Sequence, residues 1–139
     1  MSKKHLNPRQ LFDSRQYGFS QIVTSPPGTL VFISGQVAWD ESGQIVGPGD
    51  LGIQTRQALE NVATAMKSAG GTLADVVSMR IYIVAGVLDD SSAIRKALLS
   101  FFPDNPPATT WIAVPALANE DFLIEIEPIA VIGANPAQR

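Results

Sequence analysis

The chain has 139 residues, a net charge of −3 and no cysteine. That length fits one domain able to bury a core without staples, and the composition excludes disulfides, thiolate metal sites and cysteine nucleophiles. Acidic and basic residues are interspersed, with no basic stripe of the kind a nucleic-acid groove requires.

Residues 1–16 are polar, contain Pro8 and show no sustained period, so they read as an arm that docks late onto a single unit spanning 1–139. Lys3 and Lys4 are followed by no apolar stretch, so no signal peptide is expected. No run reaches the roughly 18 apolar residues of a membrane span. A short extended piece is expected over 19–23, and Ser25-Pro26-Pro27-Gly28 is a turn. The run Leu30-Val31-Phe32-Ile33 predicts a strand covered on both faces, ending in Ser34-Gly35-Gln36-Val37. Turns follow at Asp40-Glu41-Ser42-Gly43 and Gly47-Pro48-Gly49-Asp50.

From Leu51 the period changes. Leu51, Thr55, Ala58, Val62, Ala65 and Ala69 recur at helical spacing, with Asp50 as the expected N-cap and Gly70-Gly71 as the stop. A strand is expected over 76–84, with Met79, Ile81 and Ile83 on one face and Ser78, Arg80 and Tyr82 on the other. A second helix over 91–101 would be capped by Asp89 or Asp90 and ended by Asp104-Asn105-Pro106-Pro107. Two strands close the chain, over 109–114 and 122–132. In the last, Phe122, Ile124 and Ile126 share one face, while Leu123, Glu125, Glu127, Ile129 and Val131 share the other. Pro128 donates no ladder hydrogen bond and is expected at an edge or a bulge. Two helices can cover only one face of such a sheet, so the other face calls for a partner, and self-association supplies one.

Little in the chain can carry chemistry. His5 is the only histidine and lies in the arm, which leaves no Ser-His-Asp arrangement and no histidine cluster for a metal. Neither the P-loop nor the dinucleotide-binding glycine pattern occurs. One constellation remains. Gly35, at the end of an apolar strand, permits close approach of another backbone or a ligand. Glu125 and Glu127 lie two apart on one strand face, about 6–7 Å from each other. A carboxylate among Leu123, Ile124 and Ile126 would be partly desolvated, raising its pKa toward the range of a proton shuttle. The same spacing equally describes a solvated or ion-paired edge.

Four pieces of the sequence, taken together, resemble one family. They are Ser34-Gly35-Gln36, the helix Gln54-Thr55-Arg56-Gln57-Ala58-Leu59-Glu60-Asn61-Val62, Phe101-Phe102 followed by Pro106-Pro107-Ala108, and Ile124-Glu125-Ile126-Glu127-Pro128-Ile129-Ala130-Val131. Their order and spacing over 19–131 resemble the Rid family, also called YjgF. The resemblance implies an α+β, chorismate-mutase-like fold, a mixed sheet with two helices on one face, assembled as a homotrimer; a cytoplasmic location is expected, with which the absence of cysteine is compatible. It further implies small-molecule clefts between subunits and hydrolysis of reactive 2-enamines and 2-imines to 2-oxo acids and ammonia. No metal or organic cofactor is implied, and no nucleic-acid or membrane partner. An older label of the family is endoribonuclease, but an acidic chain with one N-terminal histidine and no basic-aromatic interleaving offers that activity no physical support.

By the resemblance, Glu125 is the glutamate that holds or activates water. Ser34 and Gly35 supply pocket backbone, and Phe19 takes the place of an aromatic that is often tyrosine. The family's carboxylate-gripping arginine falls on Thr109. An arginine fork binds a carboxylate bidentately, whereas threonine offers one neutral hydroxyl. A hydrogen bond to a charged group contributes about 1.5–3 kcal/mol, so losing the fork should weaken carboxylate binding about tenfold to a hundredfold. Three readings of the departure stand. The substrate lacks a carboxylate and Thr109 with Trp111 shapes a neutral pocket; another cation, Arg95 or Arg80, replaces the fork; or the protein binds small molecules without catalysis.

Overall fold

A computed structural model describes residues 2–133, so the expected unit of 1–139 reaches beyond the described residues at both ends. The N-terminal arm is more ordered than its composition suggests. Its strand β1 (Lys4–Leu6) pairs antiparallel with β2 (Ile22–Thr24), with His5 opposite Val23. Side chains fasten it to the body. Lys3 Nζ donates to the Val131 carbonyl at 2.7 Å and lies 3.7 Å from Asp75, and His5 Nδ1 donates to the Pro106 carbonyl at 3.0 Å. Polar residues can dock a segment that carries no apolar period, which is why a hydrophobicity reading misses it. Within the piece expected at 19–23, Ser20 forms an isolated parallel bridge with Ala108 ahead of β2.

The main sheet has the order β3-β6-β4-β5. Strand β3 (Gly28–Phe32) pairs antiparallel with β6 (Ile124–Gly133), and β4 (Val76–Val84) pairs antiparallel with β6 and parallel with β5 (Ala108–Val114). The two parallel crossovers are made by α1 (Leu51–Ser68) and α2 (Ser92–Phe101), and both helices pack on one face. The last strand thus slots between the first and second strands of the sheet.

Helix α1 begins as expected, with Asp50 Oδ1 accepting from the Ile53 N–H at 3.0 Å. Gly70 follows the helix at φ +90°, a left-handed conformation that favours glycine. Leu51, Thr55, Ala58 and Val62 are buried on the expected stripe, joined by Leu59, Met66 and the polar Gln54. The Gln54 amide is satisfied: it donates to the carbonyls of Gly47 and Asp121 and accepts from the Leu123 N–H at 2.9 Å. Ala69, placed on the stripe by spacing, is the exposed C-cap. Helix α2 differs from expectation at its start. Residues Ala85–Asp90 wind into a 3₁₀ helix that runs straight into α2, so Ser91 occupies the cap position with helical dihedrals, and neither Asp89 nor Asp90 caps.

One further expectation is corrected, and that for Pro128 is met by a bulge and not by an edge. The apolar run at Leu30-Val31-Phe32-Ile33 is not covered on both faces: Leu30 and Phe32 are 61% and 73% exposed, because among the described residues no layer lies over that side. Pro128 sits in a central strand rather than at an edge. The Ile126 N–H points to the β3 side, where it donates to the Gln36 carbonyl at 2.9 Å. By strand alternation the Pro128 nitrogen points the same way, into the gap between the last β3 pair, Phe32 with Ile129, and the Gln36–Ile126 bridge. No donor is needed there. Four residue steps on the β3 side, Phe32 to Gln36, face three on β6, Ile129 to Ile126, so an irregularity does lie opposite Pro128; another lies in β4 between Val76 and Ser78.

The core fills the space between helices and sheet, with Leu59, Val62, Met66, Ile94 and Leu98 against Met79, Ile81, Ile83, Ile124 and Ile126. Among the described residues, no helix is long and apolar enough to cross a membrane, and no group of three metal-ligating side chains forms.

Candidate active site

The predicted site residues separate into two groups on opposite faces of the sheet. In-register neighbours project to the same side. Thr109 is level with Met79, and Trp111 with Ile81, both of which point to the helices. Glu125 is level with Tyr82, on the face away from the helices. Within one chain, Glu125 and Thr109 therefore cannot line one cavity.

On the helix side, at the β5 edge, Phe12, Tyr17, Phe19, Thr109 and Trp111 line an open, largely apolar depression of about 400 Å³. Thr109 and Trp111, two apart on β5, share a hydrogen bond in which the indole Nε1–H donates to Thr109 Oγ1 at 3.0 Å. Phe19 leans on Trp111 with ring centroids 6.3 Å apart, and Phe12 on Tyr17 at 5.5 Å. Arg95 reaches across from α2. Its Nε donates to the Gln16 carbonyl at 2.7 Å and its guanidinium stacks 4.9 Å from the centre of the Tyr17 ring. Phe12 and Tyr17 were not singled out by sequence. The signal was two aromatics in an otherwise polar segment, and only the fold of 14–18, a 3₁₀ turn closed by Gly18, brings them to β5.

On the open face, Gly35 and Glu125 touch. A Cβ on Gly35 would collide with the Glu125 carboxylate, so the missing side chain is the berth in which that carboxylate rests. The Gln36–Ile126 bridge holds the two backbones at that spacing. Ser34 is exposed, and its carbonyl accepts from Gln36 Nε2 at 2.9 Å. Ile124 and Ile126 point through the sheet into the core and do not wrap the carboxylate as the sequence suggested.

The two glutamates, equivalent by spacing, differ in their partners. Glu127 accepts from the Tyr82 hydroxyl at 3.0 Å and lies 3.8 Å from Arg80. Half-buried Glu125 has no hydrogen-bonding or ionic partner among the described residues. Tyr82 was legible only as a member of the Arg80 face. Its hydrogen bond to Glu127, joined by burial and by the negative charges of Glu127 and Glu125, holds its phenol above the usual tyrosine range. Arg80 and Arg95, the two candidate replacements for a lost arginine, also fall on opposite faces, Arg80 beside Glu127 and Arg95 beside Tyr17.

Fold and site define a class: an α+β domain with a four-stranded mixed sheet, two main helices on one face and a half-buried carboxylate on the other. The sequence profile described as Endoribonuclease L-PSP matches residues 14–132. Among solved structures, YyfB of the conserved Rid protein family from Yersinia pestis is 38% identical, over 95% of this chain and 100% of that one, with a TM-score of 0.90. A putative endoribonuclease from Thermotoga maritima is 32% identical, over 83% of this chain and 87% of that one, with a TM-score of 0.69. RidA from an Antarctic Psychrobacter is 30% identical, over 81% and 87%, also with a TM-score of 0.69. The chain belongs to the Rid/YjgF family.

Proposed function

We propose that this protein hydrolyses a small imine or enamine in the cytoplasm, as a homotrimer whose clefts set Glu125 of one subunit against the Thr109–Trp111 depression of the next. The observation that carries the reading is the Glu125 carboxylate, half-buried against Gly35 and without a hydrogen-bonding or ionic partner among the described residues, beside a second glutamate whose contacts are already taken. An unpaired carboxylate at a partly shielded position suits proton transfer to and from water. Glu125 takes a proton from water as its oxygen adds to the imine carbon. The resulting carbinolamine collapses to a carbonyl and ammonia once its nitrogen is protonated, so that imine plus water gives carbonyl plus ammonia. The opposite placement of Glu125 and Thr109 supports a cleft completed by a second copy. So does the apolar open face, where Leu30 and Phe32 stand beside Ile129 and Val131.

A second reading, small-molecule binding without turnover on the same scaffold, is favoured by threonine at position 109. Ammonia release from 2-aminoacrylate and from an imine without a carboxylate, wild type against Glu125→Ala, separates the two. Hydrolysis of either imine, lowered at least about 100-fold in Glu125→Ala, is the expected result. No turnover by the wild type on either would leave the binding reading. A monomer in light scattering would overturn the inter-subunit cleft.

A further inference from the structure

We infer that the depression at the β5 edge selects an uncharged substrate with an aromatic ring and a single hydrogen-bond acceptor, the acceptor being met by the Thr109 hydroxyl. This rests on the proposed hydrolase reading and names its substrate class. The argument begins with the proton inventory of one side chain. A threonine hydroxyl has one proton to donate and two lone pairs. The Trp111 indole N–H can only donate, and it does so to Thr109 Oγ1 at 3.0 Å. The indole thus takes a lone pair and leaves the hydroxyl proton available, and no group among the described residues accepts that proton. Thr109 is thereby biased toward donation into a depression whose other walls are Phe12, Tyr17, Phe19 and the Trp111 ring.

Charge points the same way. Arg95 is held against Tyr17 by its Nε–H bond to the Gln16 carbonyl and by its flat face, and no cation is among the residues that line the depression. Arg95 is therefore a positioning residue that props an aromatic wall. A carboxylate entering the depression would exchange its hydration for one neutral hydroxyl, an unfavourable trade in an apolar site. An aromatic ring meets four aromatic side chains, which favour offset or edge contacts with it. The volume of about 400 Å³ lies within the roughly 300–1,000 Å³ range of small-molecule sites.

Two stable ketones that differ in the carboxylate test this on the intact protein by calorimetry: phenylacetone, which has none, and phenylpyruvate, which has one. The wild type is expected to bind phenylacetone at least about tenfold more tightly. Thr109→Val, which keeps the shape and removes the hydroxyl, should weaken phenylacetone about tenfold, and Thr109→Ser should restore it. Thr109→Arg should reverse the preference. Equal or tighter binding of phenylpyruvate by the wild type, or an affinity for phenylacetone indifferent to Thr109→Val, would overturn the inference. Ammonia release is read separately. Absence of turnover with the ketone preference intact removes the hydrolase reading and leaves this selectivity standing, whereas Glu125-dependent turnover with the preference reversed does the opposite.

Discussion

On the helix side of the sheet Ile81, Ile83, Ile124 and Ile126 are fully or almost fully buried, whereas on the other side Leu30 and Phe32 remain largely exposed. The two faces are built from the same strands by simple alternation, and they differ both in what covers them and in the charged residues that β4 and β6 present on the open side. The helix side is closed by α1 and α2 and pushes its functional groups to the β5 edge, where aromatic rings from the N-terminal segment gather around Thr109 and Trp111. The open side keeps its charged groups in the middle of the sheet, with Glu127 tied to Tyr82 and Arg80 and Glu125 lodged against Gly35. Stability therefore belongs mostly to the first face, and the candidate proton-transfer chemistry to the second.

The sharpest way to break this contrast is to truncate the closed face. Ile126→Ala removes a fully buried side chain beneath Glu125 and should cost about 2–5 kcal/mol in chemical denaturation. A loss below 1 kcal/mol would mean that the closed face is not where stability resides. A smaller and more selective effect is expected from Gly35→Ala. The added Cβ would force the Glu125 carboxylate from its berth, lowering ammonia release about tenfold while the melting curve stays close to wild type. Unchanged turnover would show that the berth does not position the carboxylate.

The smallest effect concerns pH. The chain has two tyrosines. Because the folded value of Tyr82 is raised, the stabilisation from its bond to Glu127 is fully present below the ordinary tyrosine pKa of ~10 and is lost as pH rises through the higher folded value. Tyrosinate absorbance should show one phenol ionising above pH ~10, and Tyr82→Phe should remove that phase. Titration of Tyr82 at or below the ordinary value would sever the proposed tie between Tyr82 and Glu127.

Much of this was legible in the chain. The period at Leu51, Thr55, Ala58 and Val62, and the alternation of Met79, Ile81 and Ile83, place α1 and β4 almost to the residue, because a buried face leaves a strict pattern. The start of α2 was misread, since a 3₁₀ segment can carry the chain into a helix without a side-chain cap. The arm docks, as expected, but its strand β1 was not legible, because Lys3 and His5 are held by hydrogen bonds to distant carbonyls, which leave no trace in hydrophobic spacing. Glu125, Thr109 and Arg95 were legible as candidates. Their partners were not, because a hydrogen bond or stacking contact depends on which strand lies alongside.

What the sequence alone determined is the list of parts: one helix with its Asp50 cap, the alternating faces of β4 and β6, a glycine at position 35 and a threonine at position 109. Only the tertiary structure decided that β6 lies between β3 and β4, and with it that Glu125 and Thr109 look out from opposite faces. The physical reason is that side-chain alternation is local to a strand, whereas strand order and register are set by pairings between residues tens of positions apart.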